Sequence, residues 1–129
     1  MHHVPGDLLY TPNHIWLEHI GDGEYRAGIT DFAQDELGDV VFVEAPEMDR
    51  SFEQEEECAV VESVKSTSDI FCPVSGNIVA INATLEDSPE IINSDPYGDG
   101  WIFVIAIDDK GELEELLDAE AYTQLTEEE

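Results

Sequence analysis

Short apolar runs separated by turn residues dominate the first hundred positions of the chain. Most of these runs are rich in Val, Ile or aromatic residues, and Gly, Pro, Asn and Asp cluster between them, which is typical of β-strands. The runs cover residues 14–20, 24–29, 40–44, 58–64, 68–71, 77–82 and 101–107. The pattern therefore predicts a mainly β fold, either a sandwich or a barrel.

Two segments depart from the strand pattern. In "TDFAQDELGD", Thr30 or Asp31 is suited to cap a short helix and Gly38 to end it. From Gly111 onward, the leucines of "ELEELLDAEAYTQL" recur at roughly helical spacing. We therefore expect a C-terminal helix that lies on the sheet, with a frayed "TEEE" end.

Length and charge narrow the class of protein. The chain has 129 residues, so we expect residues 1–129 to form one domain. It has 32 acidic and four basic residues, a formal net charge of -28. This charge argues against binding to nucleic acid or anionic lipid, because both need Lys and Arg to neutralise phosphates. Partners should present basic surfaces, and a high-salt cytoplasm is a reasonable hypothesis because salt screens carboxylate repulsion.

The N-terminal residues have neither the basic nor the apolar region of a secretory signal. The longest apolar run, 101–107, is too short to span a bilayer. Two cysteines are too few for a disulfide framework, which agrees with a reducing compartment. We therefore expect a soluble, cytoplasmic protein without membrane contact. The histidines form no spaced cluster that would indicate a metal site.

One of the two lysines lies in the middle of a β-rich stretch, "VVESVKSTSDIFCPVSGNIVAIN" at 60–82. Small polar residues suited to a tight turn follow Lys65, so the lysine belongs at or beside the tip of a hairpin. A projecting, solvated amine suits enzymatic acylation. An exposed turn lysine without a modification is the alternative, whereas a Schiff-base lysine would need a desolvated pocket.

The segment around Lys65 resembles the family of glycine cleavage system H proteins. Glu62-Ser63-Val64-Lys65 matches the lipoyl-attachment motif of that family. Further segments resemble the family in the same order, namely "GITDFAQDELGDVVFVE", "PEIINSDPYGDGW" and "ELEELLDAEAYTQL". The resemblance implies a flattened β-barrel of the barrel-sandwich hybrid type with short helices and a C-terminal helix. It also implies a covalent lipoate on Lys65. Biotin carriers resemble a Met-Lys-Met pattern, which is absent here.

The resemblance implies a monomeric carrier and not an enzyme. In the family, the lipoyl arm receives an aminomethyl group from a glycine decarboxylase and presents it to an aminomethyltransferase. Dihydrolipoamide dehydrogenase then reoxidises the arm. A lipoate ligase or lipoyltransferase would attach the cofactor.

The chain departs from the family at two places. Where the family has His-Glu-Trp beside the loaded arm, this chain has His14-Ile15-Trp16, while Asp69 keeps an acid in the other matching position. His14 and Ile15 are candidates for contact with the arm. The family also tends to have a glycine about eleven residues before the lysine, where this chain has "QEEE" at 54–57. We expect that change to reshape one turn only.

Cys58 and Cys72 stand seven residues on either side of Lys65, so a hairpin would bring them opposite each other. Two buried thiols and a disulfide both fit this spacing, and the pair is a candidate redox site. The thiols and Ile15 favour an alternative cargo, sulfur, as in the H-like proteins that serve heterodisulfide-reductase-like complexes, while the overall match favours glycine cleavage. A third hypothesis is a lipoate relay or reservoir. The sequence alone does not distinguish these three functions.

Overall fold

The computed structural model describes residues 4–127 and contains two antiparallel sheets. The first sheet has six strands, in the order β1 (Leu9–Tyr10), β2 (Ile15–Gly21), β3 (Glu24–Ile29), β9 (Phe103–Ile107), β8 (Gly76–Ile81) and β5 (Ser51–Phe52). The second has three strands, in the order β4 (Val40–Glu44), β6 (Glu57–Ser63) and β7 (Thr67–Phe71). Four α-helices, α1 (Asp31–Leu37), α2 (Thr84–Asp87), α3 (Ile91–Ser94) and α4 (Ala119–Glu127), and one 3₁₀ helix complete the described fold.

This architecture confirms the predicted mainly β fold with short helices and a C-terminal helix. Each of the seven predicted strands is present, and the ends of β3 and β4 agree with the sequence pattern. The two-residue strands β1 and β5 and the four-residue helices α2 and α3 were not predicted. Elements this short lack a periodic pattern, since a period needs at least two repeats to be visible.

The main core lies between the two sheets. Alternate residues of β6 and β7 point inward. Val61 and Ile70 are buried, at 0% and 3% exposure, while the residues on either side of each along its strand are more exposed. Leu17, Ala27 and other apolar residues of the six-stranded sheet meet them from the opposite side. This arrangement is the usual consequence of period-two patterning in a sandwich.

A second, smaller core lies under α4. Tyr122 of α4 and Tyr10 of β1 are fully buried and stack at a centroid distance of 4.7 Å. Trp16 joins them, and its indole N–H is within 3.0 Å of the carbonyl oxygens of Ile29 and Pro96. Gly28 makes room for this indole, because a Cβ there would lie 2.9 Å from Trp16 Cζ2.

The C-terminal segment corrects the prediction of one helix from Gly111. Residues Lys110–Glu115 form a 3₁₀ helix, and Leu116 is extended. Leu117 then exchanges both backbone hydrogen bonds with Tyr10, at 2.8 Å each. That pairing holds the backbone extended and delays the start of α4 to Ala119. The leucine spacing misled the prediction because it does not reveal a partner strand.

The predictions for the two ends of the chain fall partly outside the described residues. The predicted frayed end "TEEE" includes Thr126 and Glu127, which belong to α4, whereas Glu128 and Glu129 lie outside the described residues. Residues 1–3, on which the absence of a signal was predicted, also lie outside them. Between residues 4 and 127, no helix has the length and apolarity required to cross a membrane.

Candidate functional site

Lys65 lies at the tip of the hairpin formed by β6 and β7. The strands pair in regular register up to the tip, with Glu62 opposite Thr67. Ser63 closes the turn, because its backbone N–H donates to the Ser66 carbonyl at 2.7 Å. Its Oγ accepts from the N–H groups of Lys65 and Ser66 at 3.3 and 3.1 Å. Ser63 of the predicted attachment motif therefore shapes the turn that presents the lysine.

The side chain of Lys65 is exposed, and it leans on the end of α1. Gly38 caps this helix with φ +83°, and its N–H donates to the Gln34 carbonyl. The Lys65 Cε lies 3.4 Å from the position that a Cβ of residue 38 would occupy. Among residues 4–127, the ion pairs of the basic side chains involve Arg26 and Arg50, and Lys65 takes part in neither. The amine is thus available for chemistry.

A cleft of about 360 Å³ opens directly beside the tip. Its lining is mixed. Apolar side chains come from β3, α1 and β7, and polar groups come from the return strand of the hairpin, from the loop before β2 and from α1. The lining residues are Asn13, His14, Ile29, Phe32, Ala33, Glu36, Leu37, Ser66, Thr67, Ser68 and Ile70. Because Ser66 follows Lys65 directly, a group attached to the amine would have this cleft within reach.

One wall of the cleft is held by a residue from the far end of the chain. His14 lies in the left-handed region, with φ +67°, and its Nδ1 is 2.7 Å from the Tyr122 hydroxyl. The same hydroxyl is 2.6 Å from Thr30 Oγ1, which also accepts the Ala33 N–H and caps α1. Tyr122 therefore ties the loop of His14 to the start of α1. The sequence pattern placed Tyr122 on a helix but carried no signal of this contact.

The structure separates the residues that were expected around the arm. His14 lines the cleft, and its ring lies 4.8 Å from that of Phe32. Ile15 packs in the core, with 1% exposure, and is not part of the lining. Asp69 is exposed and is not part of the lining, although its neighbours Ser68 and Ile70 are. The roles predicted for Ile15 and Asp69 remain predictions.

Cys58 and Cys72 are free thiols in the main core, with exposures of 9% and 1%. The register of β6 and β7 shifts between Glu57 and Ala59, so Cys58 lies in a bulge. The Cys72 N–H donates to the Glu56 carbonyl at 2.8 Å. A hydrogen bond that the Cys72 thiol donates to Cys58, together with burial, raises the pKa of Cys72 well above its usual range. A protonated thiol is a poor nucleophile, which favours an inert Cys72, and the redox role predicted for the pair remains a prediction.

No group of three or more His, Cys, Asp or Glu side chains between residues 4 and 127 is arranged to hold a metal ion. The chemistry of the site therefore depends on the exposed amine. A lysine at a tight hairpin tip of a two-sheet β fold, with a partly apolar cleft beside it, defines a carrier that presents a covalently attached group. The backbone of such a carrier supplies position, while the attached cofactor supplies chemistry.

Comparison with known proteins identifies the kind of carrier. The family model for the glycine cleavage H-protein matches residues 8–129. The glycine cleavage system H protein of Aeromonas salmonicida is 55% identical over 129 residues, 100% of both chains. That of Escherichia coli is 54% identical over the same length. A solved structure of such a protein from Mycobacterium marinum is 38% identical, with a TM-score of 0.84, and the match covers 96% of this chain and 99% of that one.

The chain therefore belongs to the glycine cleavage H-protein family. Members are non-catalytic lipoyl carriers of the glycine cleavage system, and they carry lipoate covalently on a lysine. The site described here fits that group on geometric grounds. Lys65 offers an exposed amine at a projecting turn, and the apolar side chains in the adjacent cleft, which include Phe32 and Ile70, suit an alkyl chain and a dithiolane ring.

Proposed function

We propose that lipoate is attached to Lys65 as an amide, and that residues 1–129 act as one carrier domain. The observation that carries this proposal is the presentation of the Lys65 amine, exposed at a turn that Ser63 closes. Acylation needs a neutral, accessible amine and removes its charge. Glu62 and Val64, which flank the turn, would then contact the enzyme that attaches the cofactor.

When bound, the lipoyl group would accept an aminomethyl group from a glycine decarboxylase, pass it to an aminomethyltransferase and be reoxidised by dihydrolipoamide dehydrogenase. The contribution of this chain is to hold and release the arm. The lysine stem plus the lipoyl chain is roughly ten bonds of about 1.5 Å, which gives a reach above ~10 Å. That reach allows the arm either to lie in the cleft or to extend into a partner. We propose the cytoplasm as the site of this activity.

The cleft would present polar side chains to a loaded arm, among them His14 and the carboxylate of Glu36. Glu36 would favour a cationic amine by charge, because an opposite charge nearby stabilises it. Phe32, Leu37 and Ile70 would exclude water from the rest of the arm. The cleft would thereby hold the aminomethyl group on the arm until a partner enzyme removes it.

Mass spectrometry tests the attachment site. After incubation with a lipoate ligase, ATP and lipoate, the intact mass should rise by one lipoyl group, and peptide mapping should place it on Lys65. Lys65→Arg should abolish the increase, since a guanidinium is not acylated. Lys110→Arg is the matched control, because Lys110 is also exposed, and it should be modified like the wild type. Modification of the Lys65→Arg variant would contradict the proposal.

A loading assay tests the cargo. The lipoylated protein should accept an aminomethyl group when it is offered glycine and a glycine decarboxylase. An aminomethyltransferase with tetrahydrofolate should then remove that group. A lipoylated protein that the decarboxylase leaves unloaded would contradict this role while leaving the attachment site intact.

A further inference from the structure

An exposed apolar cluster flanks the lysine. Val41, Phe42 and Val64, here called the hairpin patch, are 52%, 50% and 69% exposed. They are three of the five large apolar side chains that are exposed between residues 4 and 127; the others are Ile20 and Met48. The rest of the surface carries the excess of carboxylates that gives the chain its charge of -28. An apolar cluster beside the functional lysine therefore calls for a partner that covers it.

A bulge in β4 creates the hairpin patch. Val40 pairs with Ser63 and Phe42 with Glu62, so β4 advances two residues where β6 advances one. Val40 and Val43 on either side are buried, at 3% and 5% exposure. In a regular strand, Val41 and Phe42 would point to opposite faces and one of them would enter the core. The extra residue turns both outward, in keeping with the use of bulges beside functional sites.

Val64 extends this surface to the lysine itself. Its N–H donates to the Asp39 carbonyl at 3.0 Å, which fixes the hairpin tip beside the start of β4. The stem of Lys65 lies over Gly38, the residue before Asp39. The amine, Val64 and the first residues of β4 are therefore neighbours on one surface.

We propose that the hairpin patch is the docking surface for the enzyme that acylates Lys65, and that this enzyme presents an apolar surface surrounded by basic side chains. The inference rests on the proposed attachment of lipoate to Lys65. The length of the lysine side chain favours the acylating enzyme as the partner. The unmodified amine extends only about 6 Å from its Cα, whereas the loaded arm adds enough bonds to exceed ~10 Å. The acylating enzyme must therefore touch the surface around the tip, but enzymes that act on the loaded arm need not.

Charge defines the rim of this surface. Asp39 and Glu44 are exposed at the two ends of the β4 segment, and Glu62 lies directly opposite Phe42. Carboxylates around an apolar centre favour a partner with Lys and Arg around an apolar centre. A second copy of this chain is disfavoured, because each copy has a net charge of -28 and like charges repel.

Acylation kinetics test the proposal on the full chain. With a lipoate ligase, ATP and lipoate, Phe42→Ser and Val64→Ser should lower kcat/KM about tenfold, mainly through KM, as expected for a central apolar contact. Phe42→Leu should restore most of the rate because it restores the apolar contact. Ile20→Ser is the matched control, an exposed apolar residue of β2 away from the hairpin, and should leave the rate unchanged. Unchanged thermal midpoints would show that the variants are folded.

Three outcomes would overturn the docking surface. Acylation of Phe42→Ser and Val64→Ser at the wild-type rate would do so directly. So would a defect confined to aminomethyl loading of the fully lipoylated variants, since the surface would then serve the decarboxylase. A dimer in sedimentation velocity that Phe42→Ser dissociates would assign the surface to a second copy. A wild type that is never acylated at Lys65 would overturn the proposed function as well, which distinguishes the two failures.

Discussion

The stem of Lys65 crosses Gly38, with its Cε 3.4 Å from where a Cβ of residue 38 would be. Gly38 also ends α1 with φ +83° and ψ −157°, a conformation that glycine adopts far more readily than other residues. One residue therefore ends the helix, lies beside the lysine stem and leads into β4. The position of the hairpin tip depends on this helix end.

Gly38→Ala should lower the free energy of unfolding by about 1–3 kcal/mol, because an alanine would be strained at this positive φ. Urea denaturation measures the change. Gly6→Ala is the control, since Gly6 is exposed and no atom lies within 4 Å of a Cβ there. If Gly38→Ala is as stable as Gly6→Ala, an alanine at position 38 ends α1 without strain.

Glu55→Gly should raise the free energy of unfolding by about 1 kcal/mol, because Glu55 holds φ +69° in the left-handed region, which costs a non-glycine residue roughly that much or more. Its side chain is exposed, so little packing is lost. Glu53→Gly removes an equal charge from an exposed residue without a positive φ, and it should not stabilise. Equal gains in both variants would attribute the effect to charge alone.

Tyr122→Phe should destabilise the protein by about 1–3 kcal/mol, because it removes the hydroxyl that hydrogen-bonds His14 and Thr30 in a buried site. The ring would keep its stacking on Tyr10. Tyr25→Phe, at a half-buried position on β3, should change stability less. Chemical denaturation of both variants checks the difference, and a neutral Tyr122→Phe would show that other contacts hold the cleft wall.

The thiols of Cys58 and Cys72 should resist a thiol-specific disulfide reagent in the native protein at neutral pH and react fully in denaturant. Both are buried, and the raised pKa of Cys72 keeps its thiol protonated to higher pH than usual. The absorbance of the thiolate released from the reagent gives the number of protein thiols that have reacted. Rapid reaction of a native thiol would contradict the burial, and a lack of reaction in denaturant without reductant would indicate a disulfide.

Stability should fall at alkaline pH through the tyrosines. Burial raises the pKa of Tyr97 to about 12, although the hydrogen bond from the Asp31 N–H opposes the shift. The unfolded phenol titrates near 10, so this contribution is complete below about pH 10 and is lost as the pH rises towards 12. Tyr97→Phe should weaken the fall between those values, as thermal midpoints would show. An unchanged slope would mean that Tyr97 titrates normally.

Local chemistry in the sequence determined the elements that need no distant partner. Thr30 caps α1 and Gly38 ends it as predicted, because each acts on its own helix end. The turn around Lys65 followed from small polar residues between two β-rich runs, and the strands of the main core followed from their apolar pattern. The attachment motif was readable for the same reason, since its residues are adjacent in the chain.

Only the tertiary structure decided which surface each functional residue reaches. The start of α4 depends on the pairing of Leu117 with Tyr10, and the cleft wall depends on Tyr122, which is 108 positions from His14. The bulge that turns Phe42 outward arises from pairing between two strands, not from either strand alone. Contacts between distant segments and strand registers have no periodic signal in one sequence, because they are set by how the segments pack together.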